Sequence, residues 1–129
     1  WSSDVCSSDL MSQRSFRLSS QTVGQPSASH LIPDNAFTTN EKTELTFPNF
    51  EAADGSVASG IWECPPCDLM IDHYPVNETM TILSGQLRIT RPDGSEESFG
   101  PGDVLFVSKG ASFRWTITAH LKKAYMTAT

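Results

Sequence analysis

The stretch DHYPVNETMTILSGQLRIT, residues 72–90, followed by EESFGPGDVLFVSKG, residues 96–110, decides the reading of this chain. It consists of short runs of β-branched and apolar residues cut by turn signals every eight to twelve residues, the spacing of an all-β sandwich or barrel. Reading outward from it, strands are expected at 44–47, 57–64, 69–74, 78–83, 86–91, 96–99, 103–107, 112–118 and 121–127. No long helical pattern competes with them. Arg91-Pro92-Asp93-Gly94 sets Pro where φ near −65° is wanted and Gly where φ is positive, which predicts a hairpin. A second hairpin is expected at Gly110 to Ser112, turning FVSK into FRWTIT. Gly100-Pro101-Gly102-Asp103 reads as a third turn, because Pro cannot donate within a ladder.

Upstream the character changes. Residues 12–43 are rich in Ser, Thr, Gln and Asn, carry Gly24, Pro26 and Pro33, and show neither helical nor alternating period, so 11–43 reads as an extended N-terminal arm before a domain at 44–129. Residues 1–10, WSSDVCSSDL, have no basic region and no apolar stretch, and so do not read as a secretory signal. In one reading frame they spell the translation of a widely used sequencing adapter. The genuine chain is therefore expected to start at Met11, which leaves 9 basic against 13 acidic residues and two cysteines.

The full 129 residues carry 9 Lys and Arg against 15 Asp and Glu, a formal charge of −6. That length suits one domain, and the acidic balance offers no footprint for a phosphate backbone, which argues against a nucleic-acid partner. Apolar runs fall far short of the ~20 residues of a membrane-spanning helix. Without an export leader, and with only Cys64 and Cys67 as thiols past residue 10, a reducing cytoplasmic setting is expected.

Two segments then carry a family resemblance. Asp72-His73-Tyr74-Pro75-Val76-Asn77-Glu78 is followed after six residues by Gly85; downstream, Gly102 is followed after five by Ser108-Lys109-Gly110. This resembles the two cupin motifs, in which two His one residue apart precede a Glu, then a Gly after six residues, and later Gly, five residues, Pro-x-Gly and a third His. The resemblance covers about residues 45–127. With Gly60-Ile61-Trp62-Glu63-Cys64-Pro65 and Leu121-Lys122-Lys123-Ala124-Tyr125, it is nearest to the small cupins grouped with (S)-ureidoglycine aminohydrolase and ethanolamine-utilisation cupins. It implies a double-stranded β-helix, or jelly-roll, barrel.

In metal-binding cupins the two His, the Glu and the downstream His hold a divalent ion such as Mn, Fe or Zn. Anchored on Pro75, those positions fall here on Asp72, Tyr74, Glu78 and Phe113. Phe cannot ligate, and a Tyr hydroxyl, with a pKa near ~10, is a poor ligand at neutral pH. A register one residue longer would instead turn Ile71 and His73 inward, leaving His73 and Glu78 as a two-ligand remnant. His30 and His120 lack motif spacing. No metal cofactor is therefore expected, with His73 and Glu78 as the metal residues if a site exists.

Cys64-Pro65-Pro66-Cys67 has strands on both sides rather than a helix N-terminus, and so reads as a tight turn. Trp62, Phe106, Phe113, Trp115 and Tyr125 read as core or pocket wall. Phosphate loops, nucleophile elbows and Ser-His-Asp arrangements are absent from the sequence. The leading expectation is a cupin that binds a small polar metabolite, with Asp72, Tyr74 and Glu78 as polar contacts and Phe113 and Trp115 as walls. Glu78 is the best catalytic candidate should the protein be an enzyme, since a buried carboxylate can serve as a general acid or base. The alternative is a metal-dependent, ammonia-releasing hydrolase of the ureidoglycine aminohydrolase type. A third reading is a sensor or assembly subunit whose arm pairs across a dimer, and a homodimer is expected.

Overall fold

The computed structural model describes Ser15, Arg17 to Ser19 and residues 25–129. The adapter-like residues 1–10 and most of 11–24 lie outside the described residues, as does the expected start at Met11. Eight strands form one antiparallel sheet: β1 Ser27–Ala28, β2 Leu45–Glu51, β3 Val57–Cys64, β4 Cys67–Ile71, β5 Asn77–Thr90, β6 Glu96–Phe99, β7 Val104–Val107 and β8 Phe113–Ala128. One short 3-10 turn, Asp34–Ala36, interrupts the arm. Among the described residues no helix is long and apolar enough to cross a membrane.

Two strands organise everything else. β5 and β8 pair along nearly their whole length, from Asn77 opposite Ala128 to Thr90 opposite Arg114. Their upper halves continue through β3, β2 and β1 on one side and β7 on the other; their lower halves carry β4 and β6. The sheet thus bends over a shared core of Trp62, Met80, Ile82, Leu87, Ile89, Phe113, Trp115, Ile117 and Leu121. Along β5 and β8 these core residues recur at alternate positions, as a period of two requires. Neither β1 and β7 nor β4 and β6 pair with each other, so among the described residues the jelly-roll is bent and open, not a closed barrel.

Three expectations need correction. The strands expected at 78–83 and 86–91 are one strand, and so are those at 112–118 and 121–127. The register shifts between Ile82 and Leu87 instead of breaking. Gly85 makes the bend, with φ at +91° and a backbone so close to β8 that an added Cβ would lie 2.1 Å from the His120 carbonyl oxygen. A glycine there marks a bulge, not a strand end. The hairpin expected around Gly110 does not form, because β7 pairs with β5 and β8 with β3, β4 and β5. Residues 25–43 of the arm make contacts with their own chain: β1 pairs with β2, Thr38 N–H donates to Pro66 O, and Ala36 is buried. The predicted Arg91–Gly94 hairpin is present, with Gly94 N–H donating to Arg91 O and φ at +88°.

Candidate functional site

β4 ends at Ile71, three residues before Tyr74, and this decides which side chains turn inward. Along β4, Leu69 and Ile71 face the interior and Met70 is exposed. Asp72 and His73 then lie exposed in a bend, and Tyr74 returns to the interior. The inward pair is therefore Ile71 and Tyr74, which neither register derived from strand alternation produces, because both assumed a strand running through Tyr74. Asp72, expected as a polar contact, faces solvent, and so does His73, the conditional metal residue.

The second motif holds Tyr74 in place. Tyr74 N–H donates to Ala111 O at 2.9 Å, Gly110 N–H donates to Tyr74 O at 2.8 Å, and Lys109 N–H donates to Asn77 Oδ1 at 2.9 Å. The loop read as a hairpin is thus a clamp on the turn that carries the site, and Gly110, at φ +87°, makes its tight corner.

A cavity of about 660 Å³ opens between the bent halves. Trp62, Leu69, Ile71, Val76, Trp115 and Tyr125 are among the apolar residues of its wall. Ser29, Leu31 and Ile32 of the arm complete one side. At its polar centre Tyr74 Oη donates to Glu78 Oε1 at 2.8 Å, and Lys123 Nζ donates to Glu78 Oε2 at 2.6 Å. Both members of the Lys123–Glu78 pair have side chains only 7% exposed. The ammonium also lies 4.8 Å from the Trp62 ring centroid and 5.2 Å from that of Trp115, within cation–π reach. Burial, then the Glu78 charge and the hydrogen bond to it, push the Tyr74 phenol well above its ordinary range, so it stays a protonated donor. Tyr125 is raised too, chiefly by burial and then by the charges of Glu78 and Glu51.

Phe113 is buried, but it does not line this cavity: it packs between Tyr74, at 5.7 Å between centroids, and Trp115, at 6.4 Å. It braces the site from behind. Trp115 lines the cavity and makes an edge-to-face contact with Trp62 at 6.2 Å. Among the described residues its buried Nε1–H has no hydrogen-bond partner.

Two positions of the candidate site escaped sequence reading. Lys123 alternates with Leu121 and Tyr125, and that inward alternation was the available signal. Glu44 is buried where the arm meets β2, and its carboxylate accepts from Leu31 N–H at 3.3 Å, Ile32 N–H at 3.0 Å, Trp62 Nε1–H at 2.9 Å and the Ser29 hydroxyl. It ties the arm to the cavity wall.

The donor set does not suit a divalent ion. Both oxygens of Glu78 are engaged, one by an ammonium, and Phe113 stands at the downstream His position. No cluster of three His, Cys, Asp or Glu side chains that could hold a metal occurs among the described residues. Cys64 and Cys67 flank Pro65-Pro66 between β3 and β4, but the segment is not the tight turn expected: both strands run antiparallel to β8, from Cys64 opposite Leu121 to Cys67 opposite Ile117, so the two prolines kink a chain that continues in one direction, and both thiols are buried. Contact with the Cys67 sulfur, then burial, push the Cys64 thiol up, which makes it a poor nucleophile.

The model of the EutQ-like cupin domain matches residues 51–125. This chain belongs to that cupin family. Among solved structures it is similar to a DUF861-family protein of unknown function from Pseudomonas syringae pv. tomato, with a TM-score of 0.74 and 21% identity over 86% of this chain and 46% of that one. The cupin thus spans about half the length of that relative. It is also similar to a putative ethanolamine utilization protein Q from Salmonella typhimurium (TM-score 0.57, 20% identity, 81% of this chain and 95% of that one). The EutQ protein of Clostridium difficile matches with TM-score 0.56 and 17% identity, over 78% and 80% of the two chains. At these identities the likeness concerns the fold. No curated protein matches the chain.

Proposed function

We propose that this cupin binds a small polar metabolite in the cavity around Tyr74, Glu78 and Lys123. The observation that carries the reading is a buried polar chain, Tyr74 to Glu78 to Lys123, set in a largely apolar cavity of about 660 Å³. Convergent polar groups inside an aromatic wall are the ordinary makeup of a small-molecule site. Tyr74 and Glu78 are the polar contacts anticipated from the sequence, Trp115 is a wall, and Lys123 is added to them. Asp72 and Phe113 drop out of direct contact. The test is a thermal-shift screen of small metabolites against wild type and Trp115→Ala. Binders that stabilise wild type and lose their effect in the variant are expected; a screen with no such compound overturns the reading.

An ammonia-releasing hydrolase of the ureidoglycine aminohydrolase type would need a bound divalent ion, and the groups around Glu78 do not supply its ligands. The homodimer stands as a proposal with a defined face. Phe106, Thr79 and Met126 line up across β7, β5 and β8 on the outside of the sheet, with Phe106 63% and Met126 55% exposed, and Val104 lies beside them. Light scattering is expected to give twice the chain mass, falling to one chain in Phe106→Asp; a wild-type monomer would sink the proposal.

A further inference from the structure

Lys123 takes up the carboxylate that metal-binding cupins give to their ion. Glu78, which falls on the motif's carboxylate ligand, has one oxygen bonded to the Lys123 ammonium at 2.6 Å and the other to the Tyr74 hydroxyl at 2.8 Å. Lys123 is fixed by its strand, since it pairs opposite Ile82 on β5 and Trp62 on β3, and its head is held over two indole faces. We infer that the Lys123 ammonium is the site's own cation, in place of a divalent ion, and that the cavity therefore takes a ligand with no net charge.

The ion half of this inference rests on geometry alone; the ligand half deepens the proposed function and rests on it. A buried carboxylate needs hydrogen-bond donors or a positive partner, and for Glu78 the chain supplies the positive partner covalently. A metal ion entering beside it would meet the ammonium within bonding distance of the same oxygen. The interior pair is then neutral. Of the other nearby carboxylates, Glu44 is satisfied by four donors, and Glu51 sits exposed at the cavity edge. An ionic ligand would bring an uncompensated charge into an apolar enclosure, which is strongly disfavoured. A neutral one meets no such penalty. The ammonium has three N–H donors. Among the described residues its acceptors are Glu78 Oε2 and the weak acceptor Met80 Sδ at 3.8 Å, which leaves a donor for a carbonyl, amide or hydroxyl oxygen.

Two measurements on the folded full-length chain test this. In the first, untagged wild type and Glu78→Gln are incubated with manganese, iron(II) or zinc, desalted and analysed by plasma mass spectrometry. No metal that depends on Glu78 is expected; near-stoichiometric metal that vanishes in Glu78→Gln overturns the inference. In the second, benzamide, benzoate and benzamidine, probes of similar size that differ in charge, are compared by ligand-observed NMR. Wild type is expected to prefer benzamide by about ten-fold or more, the scale of one uncompensated charge. Glu78→Gln, which leaves the ammonium unbalanced, moves the preference to benzoate, and Glu78→Gln with Lys123→Met restores benzamide. Stronger wild-type binding of either ion refutes the neutral-ligand half. Binding of none of the three counts against the small-molecule reading itself, while the metal measurement still decides the ion half.

Discussion

Replacing Lys123 by Met removes the ammonium while keeping most of the aliphatic stem, and so isolates the charge. In wild type the ammonium lies 2.6 Å from Glu78 Oε2 and both side chains are 7% exposed. Removing one member of a buried pair strands the other charge, at a cost of about 3–5 kcal/mol. Against a total stability of about 5–15 kcal/mol, that is a large fraction. For a domain of this size it corresponds to a fall in melting temperature of roughly 12–20 °C. Adding Glu78→Gln removes the stranded charge, and the Gln amide oxygen still accepts from Tyr74. Because the double change exchanges an ion pair for a neutral contact, it is expected within about 1 kcal/mol of wild type, or above it. Urea unfolding of wild type, both single variants and the double variant closes the cycle, with midpoints compared at constant m. A double variant as unstable as Lys123→Met, or a Lys123→Met that loses less than about 1 kcal/mol, would show that the pair is not buried as described.

Other perturbations probe the rest of the frame. Gly85→Ala places a methyl 2.1 Å from the His120 carbonyl oxygen at φ +91°, so a loss of at least about 2 kcal/mol is expected in urea unfolding, where a neutral result would remove the bulge from the account. Glu44→Ala strips the acceptor from Leu31, Ile32 and Trp62, and faster hydrogen exchange at the Leu31 and Ile32 amides is expected, with about 2–4 kcal/mol lost; unchanged exchange would show that the arm is held by other means. Asp68, held below its ordinary range chiefly by the Arg114 hydrogen bond, contributes stability above its unfolded pKa that is lost as pH falls through its lower folded value. Its pair is substantially exposed, so Asp68→Asn should cost no more than about 1 kcal/mol at pH 7 and less as pH drops toward about 3; a gap that widens on acidification contradicts this sign.

Much of the frame was legible because turn chemistry and alternation are local. Gly94 and Gly102 sit at positive φ at the turns expected of them, and β3 and β6 have the bounds read from the sequence. What failed depends on distant pairing. Nothing local tells that Gly85 bends a strand instead of ending it; that follows from the approach of His120, 35 positions on. The loop at Gly110 resembles a hairpin, yet β5 supplies the better partner for β7 through its rows at Glu78 to Thr81. At the site, Glu78 and Tyr74 were found because the motif marks their positions. Asp72 was misplaced because a strand was extended three residues beyond its end at Ile71. Lys123 was missed because a lysine in a strand reads by default as solvent-facing, and only the three-dimensional convergence of Glu78, Trp62 and Trp115 makes its burial favourable.

The cavity between β3, β4, β5 and β8 is proposed to receive a small molecule, and Trp62 and Trp115 line it. Indole N–H signals of protein labelled with nitrogen-15 at tryptophan report on that wall directly. A compound selected by thermal shift is predicted to move the Trp62 and Trp115 signals in a saturable way. Stabilising compounds that leave both cavity indoles unmoved would contradict that reading.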